Sequence, residues 1–148
     1  MGFKEEILKR RTFGIISHPD AGKTTLTEKL LLFGGAIHVA GAVKSNKIKK
    51  TATSDFMEIE RQRGISVATS VMGFEYKNVK INVLDTPGNF DFAGEVLSGI
   101  RAAECAVLVC GAKDGLSVGA ERAWKMLGNK PRMIFINRTD EENSDYNA

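Results

Sequence analysis

The segment from Ser17 to Thr25 reads SHPDAGKTT and has nearly the residue order of a phosphate-binding P-loop, GxxxxGK[ST]. In such a loop, consecutive backbone N–H groups form an anion site, and the lysine, here Lys23, reaches the β- and γ-phosphates. The next hydroxyl, from Thr24, can bind Mg²⁺. Ser17 stands where the pattern has a glycine, and its side chain is small enough for the turn. The other residues expected to line the phosphates are His18, Pro19, Asp20, Ala21, Gly22 and Thr25. The segment therefore predicts a nucleoside triphosphate ligand, with a chance Gly-Lys-Thr in an ordinary turn as the alternative.

A second group of candidate residues is the turn Asp85-Thr86-Pro87-Gly88. It follows an apolar run and places a carboxylate at the end of a strand, where open α/β sheets bind their ligands. Asp85 can hold Mg²⁺ through water, and the backbone N–H of Gly88 can meet a γ-phosphate without a side chain in the way. Lys23 and Gly88 are therefore candidates for catalytic contacts with the phosphates.

A third group, Asn137-Arg138-Thr139-Asp140, follows the last apolar run and matches the pattern NKxD with Arg138 in the place of lysine. The Asp140 carboxylate can accept hydrogen bonds from both N1–H and the exocyclic amine of guanine, a pair of donors that adenine does not offer. Asn137 would brace the neighbouring loops. The pattern predicts GTP or GDP as the ligand, with a capped turn at a strand end as the alternative.

Ser66, in the segment RQRGIS, lies where a long loop rejoins a strand. Its hydroxyl can complete the oxygen ligands of a metal, so the predicted Mg²⁺ ligands are Thr24, Ser66 and Asp85. Such a loop would order around Mg²⁺ and the γ-phosphate and relax after hydrolysis.

Five apolar runs of strand length must position these motifs. The runs are Phe13 to Ile16, Val67 to Phe74, Val79 to Leu84, Ala106 to Val109 and Met133 to Ile136. Since helix-like patterns separate most of them, the chain is predicted to be an α/β protein with the three-layer P-loop NTPase fold. The second and third runs meet across Glu75 to Asn78, which predicts an antiparallel hairpin with Asn78 in the turn, whereas the other strands should be parallel.

Two helices are predicted from the spacing of apolar residues. Leu26, Leu30 and Phe33 recur at helical spacing after the P-loop, and the glycine pair that follows is expected to end this helix. A later helix is predicted over Val118 to Leu127. The segment from Ala36 to Arg63 has no clean period and is predicted to be a long mobile loop, which in a compact domain is usually functional.

The composition of the 148 residues is that of one soluble globular domain, with 43% apolar residues, 26% charged residues and a net charge of +3. This basic excess is compatible with a partner rich in nucleic acid. Cys105 and Cys110 would lie roughly 16 Å apart on opposite faces of one strand, so no disulfide is predicted between them. Without a secretory signal or a membrane-spanning run, the chain is expected in the cytoplasm and away from membranes.

The motifs HPDAGKTT, RGIS, DTPG and NRTD, in this order, resemble those of the ribosome-associated translational GTPase family. From about Arg10 to Gly88, on segments such as TEKLLLFGGAI and SDFMEIERQRGISVATSVMGFEY, the chain resembles the bacterial release-factor-3 group of that family. The remainder, on FDFAGEVLSGIRAAE, GAERAWKML and PRMIFINRTDEENSDYNA, resembles the elongation-factor-G group. A mosaic of the two groups is therefore an alternative.

The resemblance implies a G-domain fold and a GTP-driven switch that acts on the ribosome in translation termination and factor recycling. The residues that it places around phosphate, Mg²⁺ and guanine are Lys23, Thr24, Ser66, Asp85 and Asp140. It also implies that residues 1–148 are a single GTP-binding domain without the family's last strand, last helix and fifth guanine-nucleotide motif. The missing strand would leave an open sheet edge beside the run from Met133 to Ile136, through which the chain is expected to self-associate.

Asn89 stands where both groups usually have a histidine that helps to orient the attacking water, so it is the third catalytic candidate and slow hydrolysis is expected. Three functions stay open: the GTPase domain of a translation factor, a nucleotide-binding module that signals occupancy without turnover, and a fragment that folds but binds little. A P-loop kinase is disfavoured because Asp140 and the loop before Ser66 would then have no purpose.

Overall fold

The computed structural model describes residues 2–38, 65–142 and 144 of the chain. They form a five-stranded sheet with the strand order β2-β3-β1-β4-β5. The strands are β1 (Arg10–Ser17), β2 (Ser70–Tyr76), β3 (Val79–Asp85), β4 (Cys105–Gly111) and β5 (Arg132–Asn137). The strand that leads into the P-loop, β1, therefore lies at the centre of the sheet.

The helices of the described residues are α1 (Phe3–Leu8), α2 (Lys23–Phe33), α3 (Ala93–Ala102) and α4 (Val118–Leu127), and a 3-10 turn (Phe90–Phe92) precedes α3. Both helices predicted from apolar spacing are present, as α2 and α4. The short helix α1 was not predicted, and none of its residues is buried. Within the described part of the chain, no helix has the length and apolarity needed to cross a membrane. The predicted loop from Ala36 to Arg63 lies outside the described residues, except for 36–38.

The pairing of the strands confirms the predicted α/β architecture. β1 pairs in parallel with β3 and β4, and β4 pairs in parallel with β5. β2 and β3 form the predicted antiparallel hairpin. Its turn consists of Lys77 and Asn78, whose φ angles of 48° and 63° are both left-handed, as a tight two-residue hairpin turn requires.

The predicted start of the second strand at Val67 is wrong, because β2 begins at Ser70. Thr69 uses its backbone N–H to donate to a carboxylate oxygen of Glu95 at 2.9 Å, and its hydroxyl donates to the Glu95 carbonyl at 3.1 Å. The backbone N–H of Thr69 therefore bonds to a side chain of α3 and not to a neighbouring strand. The other strands extend the predicted runs at one or both ends.

The core lies on both faces of the sheet, because adjacent residues of β1 point to opposite sides. Ile16 belongs to a cluster that includes Val96 of α3 and Leu127 of α4. Ile15 belongs to a second cluster, against which Leu26 of α2 packs. The helices thus cover the sheet on both faces, giving the predicted three layers.

The parallel strands bring the three sequence motifs to one edge of the sheet. β1 ends at Ser17, β3 at Asp85 and β5 at Asn137. The buried Thr86, just after β3, donates its hydroxyl to the carbonyl of Ile15 at 2.8 Å and so ties this turn to the central strand. The site is therefore built at the carboxyl ends of the strands, where open α/β sheets bind ligands.

Candidate nucleotide site

The P-loop forms a turn between the end of β1 and the start of α2. Two of its residues have left-handed backbone conformations, Asp20 with φ 65° and Gly22 with φ 91°. Gly22 is the N-terminal cap of α2, and no side chain of the described residues caps this helix end. The first N–H groups of a helix have no partner within the helix, so this end is suited to an anion.

A cleft with a volume of about 190 Å³ opens at this end of α2. The predicted site residues that line it are His18, Pro19, Asp20, Gly22, Lys23, Thr24, Thr25, Ser66, Gly88, Asn89 and Arg138. Four predicted residues do not line it: Ala21, Asp85, Asn137 and Asp140. The P-loop, the segment at Ser66 and the turn at Gly88 therefore face one space, although they are far apart in the sequence.

Lys23 and Asp85 form an ion pair beneath the cleft. The Lys23 Nζ donates to Oδ1 of Asp85, and the two side chains are 6% and 1% exposed. Oδ2 of Asp85 is buried without a hydrogen-bond partner among the described residues. Sequence reasoning assigned the two residues to phosphate and to metal separately and did not predict their direct contact, which depends on the register of β1 against β3.

The oxygen atoms near the cleft fit Mg²⁺, which prefers oxygen ligands and is usually held by one or two carboxylates. Thr24 and Ser66, which carry hydroxyl groups, line the cleft, and Oδ2 of Asp85 is buried without a hydrogen-bond partner among the described residues. In the described part of the chain, no group of three or more histidine, cysteine or acidic side chains could form a denser metal site. The described residues offer a single carboxylate and two hydroxyl groups, and water and phosphate oxygens would complete the coordination of a bound Mg²⁺.

Asn137 connects the end of β5 to the P-loop. Its Nδ2 donates to the carbonyl of Ala21 at 2.9 Å, and a Cβ added to Gly22 would collide with the same amide group. Ala21 itself is buried with the core residue Ile15, so its side chain contributes packing rather than a surface of the cleft. Glycine at position 22 is required both by its backbone conformation and by this close approach.

The turn that follows β5 carries the residues predicted to read the base. Arg138 has a left-handed φ of 60°, and its guanidinium lies 3.5 Å from a carboxylate oxygen of Glu141. Asp140 is exposed beyond it. Asp140 is therefore accessible to solvent, three residues after Asn137.

Asn89 follows the turn at Gly88, and its side chain caps the 3-10 turn. Its Oδ1 accepts a hydrogen bond from the backbone N–H of Asp91 at 3.3 Å. The carboxamide is thus directed back towards its own chain, although Asn89 also borders the cleft.

Sequence reasoning did not single out Phe90, Gly119 and Arg122, which lie around this turn and the neighbouring His18. Their proximity comes from tertiary packing and leaves no local sequence signal.

A second, more apolar groove lies between α4 and β5, with a volume of about 530 Å³. Trp124, Ile134 and Ile136 are among the residues that line it. Cys110 also faces it, and burial raises the pKa of this thiol above its ordinary value. Among the strands that the structure describes, β5 is the last on this side of the sheet, so the groove runs along an edge strand.

The chain is similar to known proteins over nearly all of its length. The family model described as the elongation factor Tu GTP binding domain matches residues 8–148. Peptide chain release factor 3 of Nitrosomonas europaea is 52% identical over 144 residues, which are 96% of this chain and 27% of that protein. Peptide chain release factor 3 of Aromatoleum aromaticum is 54% identical over 139 residues, which are 93% of this chain and 25% of that protein. The similarity to these factors continues past Gly88, and the chain spans about a quarter of their length.

Solved structures show the same fold. A protein of Thermus thermophilus superposes with a TM-score of 0.84 at 34% identity, over 92% of this chain and 20% of that chain. A bacterial selenocysteine-specific elongation factor superposes with a TM-score of 0.66 at 21% identity, over 88% of this chain and 20% of that chain.

Proposed function

We propose that this chain, which belongs to the elongation factor Tu GTP binding domain family, is the G domain of a release-factor-3-like translational GTPase that binds GTP and GDP and hydrolyses GTP. The observation that carries the proposal is the hydrogen bond from Asn137 to the P-loop carbonyl of Ala21. It fixes the strand end that carries Asp140 against the loop that would hold the phosphates. A single nucleotide can reach both the P-loop, through its phosphates, and Asp140, through its base, only if these two segments lie next to each other.

The roles that we propose for the phosphate side follow from charge and backbone. The open N-terminus of α2, from Gly22 to Lys23, would hold the phosphate oxygens together with the other P-loop residues. Lys23 would exchange its bond to Asp85 for bonds to the β- and γ-phosphates. Thr24, Ser66 and Asp85 would hold Mg²⁺, which supplies charge neutralisation at the phosphates. Binding therefore requires a rearrangement of one buried ion pair.

We propose that Asp140 selects guanine by accepting from its N1–H and its amine. Its exposure leaves the carboxylate accessible to a base, and Arg138 would cover the nucleotide from the same turn, since it borders the cleft. Gly88 would meet the γ-phosphate through its backbone, and Asn89 follows it. Lys23, Gly88 and Asn89 are thus the groups proposed to act on the transferred phosphoryl.

The longer protein containing this domain is proposed to act on the ribosome, in translation termination, and to reside in the cytoplasm. The similarity to peptide chain release factor 3 over 96% of this chain supports this role. A nucleotide-binding module with little turnover is the second candidate, because the side chain of Asn89 is engaged in capping the 3-10 turn. Single-turnover hydrolysis with bound GTP separates the two functions.

We also propose that the isolated chain associates with a second copy through β5. Met133, Ile134, Phe135 and Ile136 are between 37% and 64% exposed, on both faces of this edge strand. An unpaired edge with an apolar surface is a template for strand pairing. Two β5 strands can pair about a twofold axis, since such an interface uses the same surface from both copies.

Isothermal titration of the chain with GDP, GTP and ATP, each with and without Mg²⁺, tests the proposed function. We expect GDP and GTP to bind, ATP not to compete, and Mg²⁺ to strengthen the binding. The Thr24→Ala variant should lose most of the Mg²⁺ dependence while keeping Mg²⁺-free affinity. Ser98→Ala, which removes an exposed hydroxyl from α3, is the matched control. Equal competition by ATP would overturn the assignment of Asp140, and an unchanged Mg²⁺ dependence in Thr24→Ala would overturn the metal role.

A further inference from the structure

The turn at Gly88 is in direct contact with the P-loop. A Cβ added to Gly88 would lie 3.3 Å from the Cα and 3.4 Å from the backbone N of Pro19. These distances are tight for a side-chain carbon, so the two backbones already pack closely together. A shift of the turn towards or away from the phosphates therefore changes its packing against the P-loop.

Phe90, the second residue after Gly88, is held from two sides. Its ring centroid lies 6.2 Å from that of His18, with the planes tilted by 47°. On α4, the guanidinium carbon of Arg122 lies 4.7 Å from the centroid of the Phe90 ring. Tilted aromatic pairs and guanidinium groups over an aromatic face are both attractive arrangements. Phe90 thus links the turn to the P-loop and to α4.

The same helix also fixes His18. A Cβ added to Gly119 would lie 2.8 Å from Cγ and 2.9 Å from Cβ of His18, so the imidazole rests directly on the α4 backbone. Ser117 caps this end of α4, with its hydroxyl oxygen accepting from the N–H of Ala120 at 3.2 Å. Gly119 and Arg122 are three residues apart and share one face of the helix. One rigid helix face therefore contacts both His18 and Phe90.

The turn at Gly88 lies beside a second space. A small cavity of about 20 Å³ also borders the turn, and Asn89, Phe90, Val96 and Ala123 are among its lining residues. Gly88 and Asn89 border both spaces. The turn therefore borders both the cleft and this cavity, and the contacts of Phe90 restrain it from outside the cleft.

We propose that Arg122 is a positioning residue for the γ-phosphate turn: through Phe90 it holds Gly88 and Asn89 against the P-loop, in the position that receives GTP rather than GDP. This inference rests on the proposed function, because it assumes that Gly88 meets the γ-phosphate. GDP has no γ-phosphate, so its affinity does not depend on the position of the turn. Arg122 does not line the cleft, so its proposed effect on the γ-phosphate runs through the Phe90 ring.

The test compares Arg122→Gln with Arg122→Lys and with the control Arg101→Gln, an exposed arginine on α3. We measure the affinities for GDP and for a non-hydrolysable GTP analogue by fluorescence competition. Arg122→Gln should weaken the analogue about two- to fivefold, the size of an exposed cation–π contact, while GDP affinity stays constant. Arg122→Lys should recover most of the loss because it keeps a cation over the ring. Arg101→Gln should change neither affinity.

The Phe90→Leu background identifies the path of the effect. There Arg122→Gln should cause no further loss, because the aromatic face is already absent. Equal weakening of GDP and the analogue by Arg122→Gln would overturn the proposal, and so would an undiminished Arg122→Gln effect in Phe90→Leu.

Hydrogen exchange of the nucleotide-free chain separates this inference from the proposed function. Arg122→Gln should speed exchange of the backbone amides from Asn89 to Phe92, and Arg101→Gln should not. If the wild type binds neither nucleotide, the proposed function fails, while faster exchange still supports the hold of Arg122 on the turn. Unchanged exchange in Arg122→Gln overturns the positioning role.

Discussion

At the scale of single residues, the buried ion pair of Lys23 and Asp85 is expected to contribute to stability as well as to the proposed phosphate site. Removing one partner of a buried ion pair leaves an uncompensated charge and typically costs about 3–5 kcal/mol. We therefore expect Lys23→Met to lower the free energy of unfolding by about 3 kcal/mol in urea denaturation of the nucleotide-free chain. The double variant Lys23→Met/Asp85→Asn should recover part of this loss, because the remaining charge is removed as well.

A Lys23 variant that loses nucleotide binding could do so because it is unfolded. Its free energy of unfolding must therefore be measured together with its nucleotide affinity. An exposed control, Lys29→Met on α2, should leave the unfolding free energy within about 0.5 kcal/mol of the wild type. Equal stabilities of Lys23→Met and the double variant would show that the unpaired Asp85 charge carries no energetic cost.

The base preference is a second residue-scale property. Replacing Asp140 with asparagine exchanges one acceptor for an amide donor, which no longer fits the guanine amine but suits the C2 carbonyl of xanthine. We expect Asp140→Asn to bind GDP at least about tenfold more weakly and xanthosine diphosphate more tightly than the wild type, as measured by titration calorimetry. Glu142→Gln, an exposed change two residues away, should leave both affinities as they are. A parallel loss for both nucleotides in Asp140→Asn would point to a folding defect instead.

A third residue, Asn89, is proposed to limit hydrolysis. Replacing a group that orients water commonly changes rates by about a hundredfold. Asn89→His, in the longer protein with ribosomes, is expected to raise single-turnover GTP hydrolysis by about this factor with little change in GTP affinity. Asn129→His, in the exposed turn after α4, is the control. An unaltered rate with intact binding would mean that Asn89 does not limit hydrolysis.

At the scale of elements, the β2–β3 hairpin carries strain that the sequence did not reveal. Lys77 adopts a φ of 48° without the short polar side chain that favours this conformation. We expect Lys77→Asn to stabilise the chain by about 0.5–1 kcal/mol, and so to raise Tm by roughly 2–4 °C in a thermal melt. Lys113→Asn makes the same exchange at a residue without a positive φ and should give no such gain. A lower Tm for Lys77→Asn would show that contacts of the lysine outweigh its backbone strain.

Helices and strands could be predicted from the sequence where a local residue pattern determines them. Contacts between residues distant in the sequence could not. The spacing of Leu26 and Leu30 predicted α2, and the apolar run before Asp85 placed this carboxylate at a strand end. The late start of β2 depends on Glu95, which is distant in sequence from Thr69. Likewise, the contact of His18 with Gly119 arises only when α4 packs on the sheet. The motifs could therefore be located from sequence, whereas the pairing of their side chains required the fold.

At the scale of the whole molecule, the sheet formed by the described residues has two edge strands, β2 and β5. β5 borders the apolar groove with α4, and four consecutive apolar residues of this strand are exposed. We expect the isolated chain to sediment as a mixture of monomer and dimer whose dimer fraction rises with concentration. Met133→Lys, a charge on the exposed edge strand, should shift it to monomer because charged side chains oppose edge pairing.

The matched control is Val71→Lys on β2, the opposite edge strand. Val71 is 72% exposed, which is similar to the 64% of Met133. The dimer fraction of Val71→Lys should equal that of the wild type. This variant adds the same charge as Met133→Lys, but on β2, which lies outside the proposed β5 interface. If both lysine variants dissociate the dimer equally, net charge rather than the β5 edge governs association. A wild-type chain that sediments as a monomer at every concentration, with cooperative unfolding, would show that β5 is stable without a neighbouring strand.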